Sequence, residues 1–135
     1  MTTSDFKEEW CLLQNQFDSY ENHSLFIKLT SIVVASASCI TDYAGMLTAL
    51  IVVILWGQDA IWKTFQSRIE SRLLLVERSI VDGSDQRPFQ FNSRYQQHRL
   101  SGISLIREYL DQAIRPTIAF PHLALLPVLL INYFL

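Results

Sequence analysis

Residues 43–58 read Tyr-Ala-Gly-Met-Leu-Thr-Ala-Leu-Ile-Val-Val-Ile-Leu-Trp-Gly-Gln, a run of sixteen residues without a charged side chain. Residues 29–41 are also uncharged, so Asp42 is the one charge in the thirty residues from 29 to 58. A third apolar run, residues 116–135, contains no charged side chain. Residues 59–115, in contrast, hold nine of the eleven Lys and Arg residues of the chain. This segregation is typical of a small integral membrane protein. It disfavours an average globular enzyme, a disordered chain and a nucleic-acid-binding protein with a basic face.

The size of the chain limits its architecture. A chain of 135 residues and 15.6 kDa is enough for one compact unit, and a net charge of −2 gives no general attraction to polyanions. A soluble bundle is the alternative fold, but three wholly apolar helices would then need more polar helices around them than the chain can supply. We therefore predict an all-α integral membrane protein with three transmembrane helices, a hairpin plus a C-terminal span, and a cytoplasmic membrane-proximal helical bundle.

The hydrophobic pattern divides the chain into four segments. They are a cytoplasmic amphipathic helix in 1–23, a transmembrane hairpin in 24–60, a cytoplasmic segment of two helices in 61–115 and a C-terminal transmembrane helix in 116–135. The first helix is predicted to pack on a neighbouring helix, because it has a single Lys and surface-lying membrane helices are usually rich in Lys and Arg. The helices of the third segment are expected over 60–81 and 93–115, separated by a turn at 82–88.

The distribution of basic residues predicts the orientation. Lys and Arg residues are retained on the cytoplasmic side of a membrane, and the loop 59–115 carries nine of them, whereas the turn around Asp42 carries none. We therefore expect a multi-pass protein of the plasma (inner) membrane. The N-terminus and the central loop should be cytoplasmic, and the Asp42 turn and the C-terminus should be outside.

Small side chains in the first span predict a helix-packing face. Ser31, Ala35 and Cys39 lie four residues apart, with Ser38 beside them, and small residues at this spacing let another helix approach closely. We expect this face to support association with a second copy or with another membrane protein. A second contact surface is predicted on the cytoplasmic helices, and it consists of three aromatic residues: Trp10, Phe17 and Phe65.

Ionisable side chains within or beside the spans are Lys28, Asp42, Asp59 and His122, and such groups are costly in a membrane and often functional. Lys28 and Asp59 are expected near the cytoplasmic ends of adjacent antiparallel spans. They can pair with each other or both reach headgroup water, and the weakness of exposed pairs favours water. For His122 the favoured prediction is a neutral imidazole bonded to a backbone carbonyl freed by a proline, and the alternative is a polar point in a pore or partner interface.

Catalytic and metal-binding patterns are weak in this sequence. His23, His98 and His122 are scattered over three segments, and no HxxxH, CxxC or GxSxG motif and no Gly-rich phosphate loop occurs. Cys11 and Cys39 are not expected to pair. We therefore expect a non-enzymatic protein without a metal or a cofactor.

The expected function is contact between helices, as an oligomer-forming or accessory subunit of a membrane complex. The expected partners are the lipid bilayer and a second copy or another membrane protein, and not nucleic acid. The alternative is a pore- or channel-forming membrane effector, or its immunity-type partner. The hydroxyl residues that would line a narrow pore are Thr30, Ser31, Ser36 and Ser38. Because this one span has no continuous polar stripe, a wide aqueous channel is disfavoured.

The three charge-poor runs predict how the protein is held in a membrane. Alkaline carbonate strips peripheral proteins from membranes but leaves proteins with transmembrane helices in the bilayer. We expect the chain to stay in the membrane pellet after this extraction, and its release into the supernatant would contradict the three spans.

Overall fold

The computed structural model describes residues 3–83 and 87–135. These residues form five α-helices and no β-strand. The helices are α1 Thr3–Ile40, α2 Met46–Asp82, α3 Phe91–His98, α4 Ile103–Ala113 and α5 Pro116–Phe134. Three of them, α1, α2 and α5, are long and apolar enough to cross a membrane. The predictions of an all-helical chain and of three apolar helices of spanning length are therefore confirmed.

The two longest helices join elements that the sequence analysis treated separately. Helix α1 runs for 38 residues through the predicted amphipathic helix and the predicted first span, because no Gly or Pro interrupts it. Helix α2 runs for 37 residues from the second apolar run into the charged region. It ends at Asp82, and Gly83 follows with a φ of 62°, the left-handed conformation that glycine adopts most readily. Residues 84–86 of the predicted turn lie outside the described residues.

The prediction of one helix over 93–115 is corrected by the structure. Helix α3 ends at His98 and α4 begins at Ile103, with a break that contains Gly102 at a φ of 60°. This φ is unfavourable for residues with a Cβ atom, so the break occurs where a glycine permits it. The described residues between the end of α2 and the start of α5, 83 and 87–115, therefore contain two short helices.

The hairpin between α1 and α2 turns at the predicted position. Asp42 has a φ of 55°, and Asp tolerates this left-handed conformation better than most residues do. A Cβ atom on Gly45 would lie 3.8 Å from the ring of Tyr133, so the C-terminal end of α5 lies against this turn. Helix α5 is therefore parallel to α1 and antiparallel to α2, and it remains helical through Pro121 and Pro127.

The bundle has two parts with different chemistry. We call residues 24–59 and α5 the apolar half, and residues 3–23, residues 60–82, α3 and α4 the polar half. The core of the apolar half consists of Ala35, Ala44, Val52 and Leu129. The core of the polar half consists of Phe6, Leu13, Ile69, Leu73 and Val76. Helices α1 and α2 thus pack against each other in both halves.

A buried ion pair ties the polar half together. Arg72 Nε donates to Glu9 Oε1 at 2.7 Å, and Arg72 Nη2 donates to Glu9 Oε2 at 3.1 Å. Two further hydrogen bonds reach the pair, because Phe89 N donates to Glu9 Oε2 at 2.7 Å and Arg72 Nη2 donates to the Arg87 carbonyl at 3.1 Å. Both side chains are buried, and a buried charge is tolerated when it is paired and hydrogen-bonded. The pair fixes α1 against α2 and holds the segment before α3 on both helices.

Candidate functional site at Asp59

Asp59 lies where the apolar half meets the polar half, and three helices meet at its side chain. The residue is on α2 and has no exposed surface. Ser24 of α1 donates a hydrogen bond from Oγ to Asp59 Oδ1. The other carboxylate oxygen, Oδ2, lies 3.8 Å from Lys28 Nζ on α1 and 3.7 Å from His122 Nε2 on α5. One carboxylate therefore links all three long helices.

The local sequence explains how the site is assembled. Ser24 and Lys28 are four residues apart, so both lie on the face of α1 that packs on α2. Pro116 occupies the first turn of α5, where its missing N–H and fixed φ suit the helix start. His122 follows in the second turn, which brings its ring to the level of Asp59.

The charges of Asp59 and Lys28 balance each other within the chain. A buried carboxylate is costly unless it is bonded and paired, and Ser24 provides a hydrogen bond while Lys28 provides a positive charge. The Lys28 side chain, in contrast, remains partly exposed. The sequence analysis favoured headgroup water as the environment of both residues. For Asp59 this was wrong, because its side chain is enclosed by the helices.

His122 contacts an ionisable group instead of the expected backbone carbonyl. Its side chain is fully buried, and neither ring nitrogen has a hydrogen-bond partner among the described residues. The ring stacks on Trp56 with ring centroids 6.2 Å apart and an interplanar angle of 13°. Trp56 Nε1 in turn donates to the Ala113 carbonyl at the end of α4 at 3.1 Å. The imidazole therefore lies between an aromatic ring and a carboxylate.

Sequence reasoning missed two residues of this site, Ser24 and Trp56. A signal for each was present, because Ser24 lies one helical turn before Lys28 and Trp56 lies three residues before Asp59. Residues at these spacings share a helix face.

Asp42, the remaining predicted ionisable group, is exposed in the turn at the other end of the apolar half. Because α2 rises by about 20 Å from Met46 to Asp59, the Asp42 turn and the Asp59 site lie about that far apart along the helix.

The predicted helix-packing face of α1 is used within the chain. Ser31 and Ala35 are buried, and Ala35 belongs to the core that α1 forms with α2 and α5. Cys39 packs against the same core, and Ser38 Oγ lies 3.1 Å from Thr48 Oγ1 of α2. A role of this face in association between chains stays a prediction.

The three predicted aromatic contact residues of the polar half are partly buried within the chain. Trp10 and Phe17 pack on the polar-half core, and Trp10 Nε1 donates to Glu77 Oε1 at 2.9 Å. Phe65 meets Trp62 edge to face, and the Arg68 guanidinium lies 5.3 Å from the centre of the Phe65 ring. Their role as a surface for a partner also stays a prediction.

A second polar cluster lies on the polar-half side of Asp59. Lys63 and Gln66 of α2 both donate to the carboxylate of Glu21 on α1. These two hydrogen bonds hold the pKa of Glu21 below its ordinary value. A carboxyl group whose pKa is lower in the folded state stabilises the fold at pH values above its pKa in the unfolded state. This stabilisation is lost as the pH falls through the pKa of the folded state. Because Glu21 is largely exposed, solvent screening keeps this contribution small.

The contacts of Asp59 join side chains of three helices at one buried carboxylate. Ser24 donates its hydroxyl hydrogen bond to the Asp59 carboxylate, and neither ring nitrogen of His122 is hydrogen-bonded to it. Ser24, Asp59 and His122 have no exposed surface through which a substrate would enter. In the part of the chain that the structure describes, no three His, Cys, Asp or Glu side chains are grouped to hold a metal ion.

Comparisons of the chain with protein-family models, curated proteins and solved structures found no match. The site is therefore interpreted from its own geometry.

The unequal exposure of Lys28 and Asp59 predicts an order of destabilisation. Lys28→Met leaves an enclosed carboxylate without its cation, and we expect the free energy of unfolding to fall by about 3 kcal/mol. Asp59→Asn keeps a group that can accept the Ser24 hydrogen bond and leaves a lysine that can turn to solvent, so we expect a loss of about 1 kcal/mol. The double variant should resemble Asp59→Asn alone, because no unpaired carboxylate remains.

These variants can be ranked by thermal unfolding of the purified protein in detergent, followed by circular dichroism. Lys7→Met, which removes an exposed lysine from the polar half of α1, serves as the matched control. If Lys28→Met unfolds at the same temperature as Lys7→Met, the Lys28–Asp59 pair does not stabilise the bundle.

Proposed function

We propose that the chain is a three-span membrane protein that works through contacts between helices, as an oligomer-forming or accessory subunit of a membrane complex. The observation that carries the proposal is the direction of the side chains in the apolar half. Large apolar side chains cover its outside on all three helices, and two examples are Phe26 of α1 at 67% exposure and Phe120 of α5 at 74%. Asp59 and His122 point inward. A continuous apolar exterior of this kind is unfavourable in water and suits a lipid surrounding.

The dimensions of the apolar half support a span across a bilayer. Residues 24–40 of α1 extend for about 25 Å and α5 for about 28 Å, close to the hydrocarbon thickness of about 30 Å. The hairpin turn and the C-terminal end of α5 lie together at one end, and the basic residues of the polar half lie at the other. By the positive-inside rule, the polar half would face the cytoplasm and the Asp42 turn the outside of a plasma (inner) membrane.

A role in helix contact agrees with how the chain uses its small residues. The face with Ser31 and Ala35 is filled by the chain's own helices. The outward surface still offers places for another helix to approach closely, because Ala37 of α1 and Gly57 of α2 are exposed. A Cβ atom added to Gly57 would meet no atom within 4 Å. Small exposed residues on apolar helices favour packing of helices in lipid.

The pore alternative is disfavoured by the positions of the candidate pore-lining hydroxyls. Ser31 is buried in the bundle, Ser38 contacts Thr48, and Thr30 donates to the carbonyl of Phe26 on its own helix at 2.7 Å. Ser36, in contrast, is exposed on the outer surface. These hydroxyls point in different directions and form no polar path along the apolar half.

The proposal is tested by the mass of the particle and by its conductance. In mild detergent we expect a particle that contains more than one copy, or a second membrane protein in fixed ratio, and no conductance in a planar lipid bilayer. Gly57→Leu should lower the mass of this particle without unfolding the chain, because the space around Gly57 is open. Leu47→Phe, a bulky change at another exposed apolar position, is the matched control.

A wild-type chain that is monomeric in detergent and in cross-linked membranes would contradict the proposed association. Stable unitary conductance of the purified protein would favour the pore-forming alternative.

A further inference from the structure

The two oxygens of the Asp59 carboxylate have different surroundings. Oδ1 accepts the hydrogen bond from Ser24, whereas Oδ2 has no hydrogen-bond partner among the described residues. Two groups that can carry a positive charge face Oδ2 at nearly equal distances, Lys28 Nζ at 3.8 Å and His122 Nε2 at 3.7 Å. Both distances are longer than a hydrogen bond, so a small movement of either side chain would give Oδ2 its partner.

The two groups that face Oδ2 differ in their freedom to move. The ring of His122 has no exposed surface and stacks on Trp56, so it stays in the site while α5 is packed on the hairpin. The side chain of Lys28 is 19% exposed, and its long apolar stem allows the ammonium group to turn toward water or lipid headgroups. Oδ2 therefore faces one fixed and one movable candidate for its counter-ion.

The charge of the site depends on the proton content of His122. A neutral imidazole has one N–H and one bare nitrogen, and uptake of a proton from water at the bare nitrogen makes both nitrogens donors. With a neutral imidazole, Lys28 balances the charge of Asp59. With a charged imidazole, His122 balances it and the charge of Lys28 is in excess. An enclosed site tolerates an excess charge poorly, so the movable group would leave.

We propose that Asp59 and His122 form a proton-binding site, in which His122 and Lys28 replace each other as the counter-ion of the carboxylate. When His122 takes up a proton, its Nε2–H donates to Oδ2 and the Lys28 ammonium group turns outward. When the proton is lost to water, Lys28 returns. Binding of one proton thus changes the exposure of a lysine at the boundary between the apolar and polar halves. The contacts lie within one chain, so the proposal does not depend on association between chains.

Other charged groups near this level of the bundle have different surroundings. Helix α5 has no charged side chain. His23, next to Ser24 on α1, is exposed and stacks on Trp62. The nearby ion pairs are Glu21 with Lys63 and Arg68 with Glu108, and the exposed charged residues at α4 are Arg107, Asp111 and Arg115. Asp59 of α2 and Lys28 of α1 are therefore the charged groups that face His122.

The charge of His122 can be read from the ¹⁵N chemical shifts of its ring in the full-length protein in detergent, between about pH 5 and pH 8. The exposed His23 and His98 are internal references, and His122→Gln identifies the signal. We expect His122 to change its charge within this range. In Lys28→Met the change should move upward by about one pH unit or more, because a competing positive charge is removed.

Lys7→Met, at an exposed position, is the matched control and should leave the His122 signal unchanged. A charge on His122 that stays constant over this range in the wild-type chain would overturn the proposal. A titration that Lys28→Met does not move would also overturn it, since the two side chains would then not compete for Asp59.

The movement of Lys28 is tested separately by its reactivity with an amine-acylating reagent. Lys7 in the same sample corrects for the general effect of pH on amines. In the wild-type chain, the ratio of labelled Lys28 to labelled Lys7 in mass spectra should rise as the pH falls, whereas in His122→Gln it should stay constant. A constant ratio in the wild-type chain, or an equal rise in His122→Gln, would contradict the exchange of counter-ions.

Discussion

The fold depends on the burial of one carboxylate among apolar helices. Asp59 has no exposed surface, so α1 must bring Ser24 and Lys28 to it and α5 must bring His122. This requirement sets the relative heights of the three long helices, because each helix has one place at which its polar group can meet the carboxylate. The buried pair of Glu9 and Arg72 sets the register of α1 and α2 in the polar half in the same way. Between these two levels lie the hydrogen-bonded cluster of Glu21, Lys63 and Gln66 and part of the polar-half core.

The helical class and the three apolar helices could be predicted because they depend on local composition. Runs without charged residues identify apolar helices of spanning length whatever their neighbours are, and the structure contains all three. The boundaries of the helices were harder to predict, because a change from apolar to polar residues does not end a helix. Helix α1 continues through such a change near Ser24, whereas Gly102, which sequence reasoning placed inside a helix, separates α3 from α4.

The candidate site could be predicted only in part. Lys28 and Asp59 were both predicted near the ends of adjacent spans, so a pair between them could be considered from the sequence. The enclosure of Asp59 depends on His122 of α5, which is sixty-three residues further along the chain. The direction of the apolar face of α4, which carries Ile106 and Leu110, could not be predicted either. Periodicity shows that Ile106 and Leu110 share a face, but the contact between Arg68 and Glu108 decides that this face points outward.

The central claim is that the polar half and the Asp42 turn lie on opposite sides of one bilayer. It is tested most directly by labelling single cysteines, Asp42→Cys and Ser101→Cys, in a chain without Cys11 and Cys39. Both positions are exposed in the structure. In intact cells, a membrane-impermeant maleimide should label the cysteine at 42 and reach the one at 101 only after the membrane is opened. Equal labelling of both positions in intact cells, or labelling of 101 alone, would contradict the account.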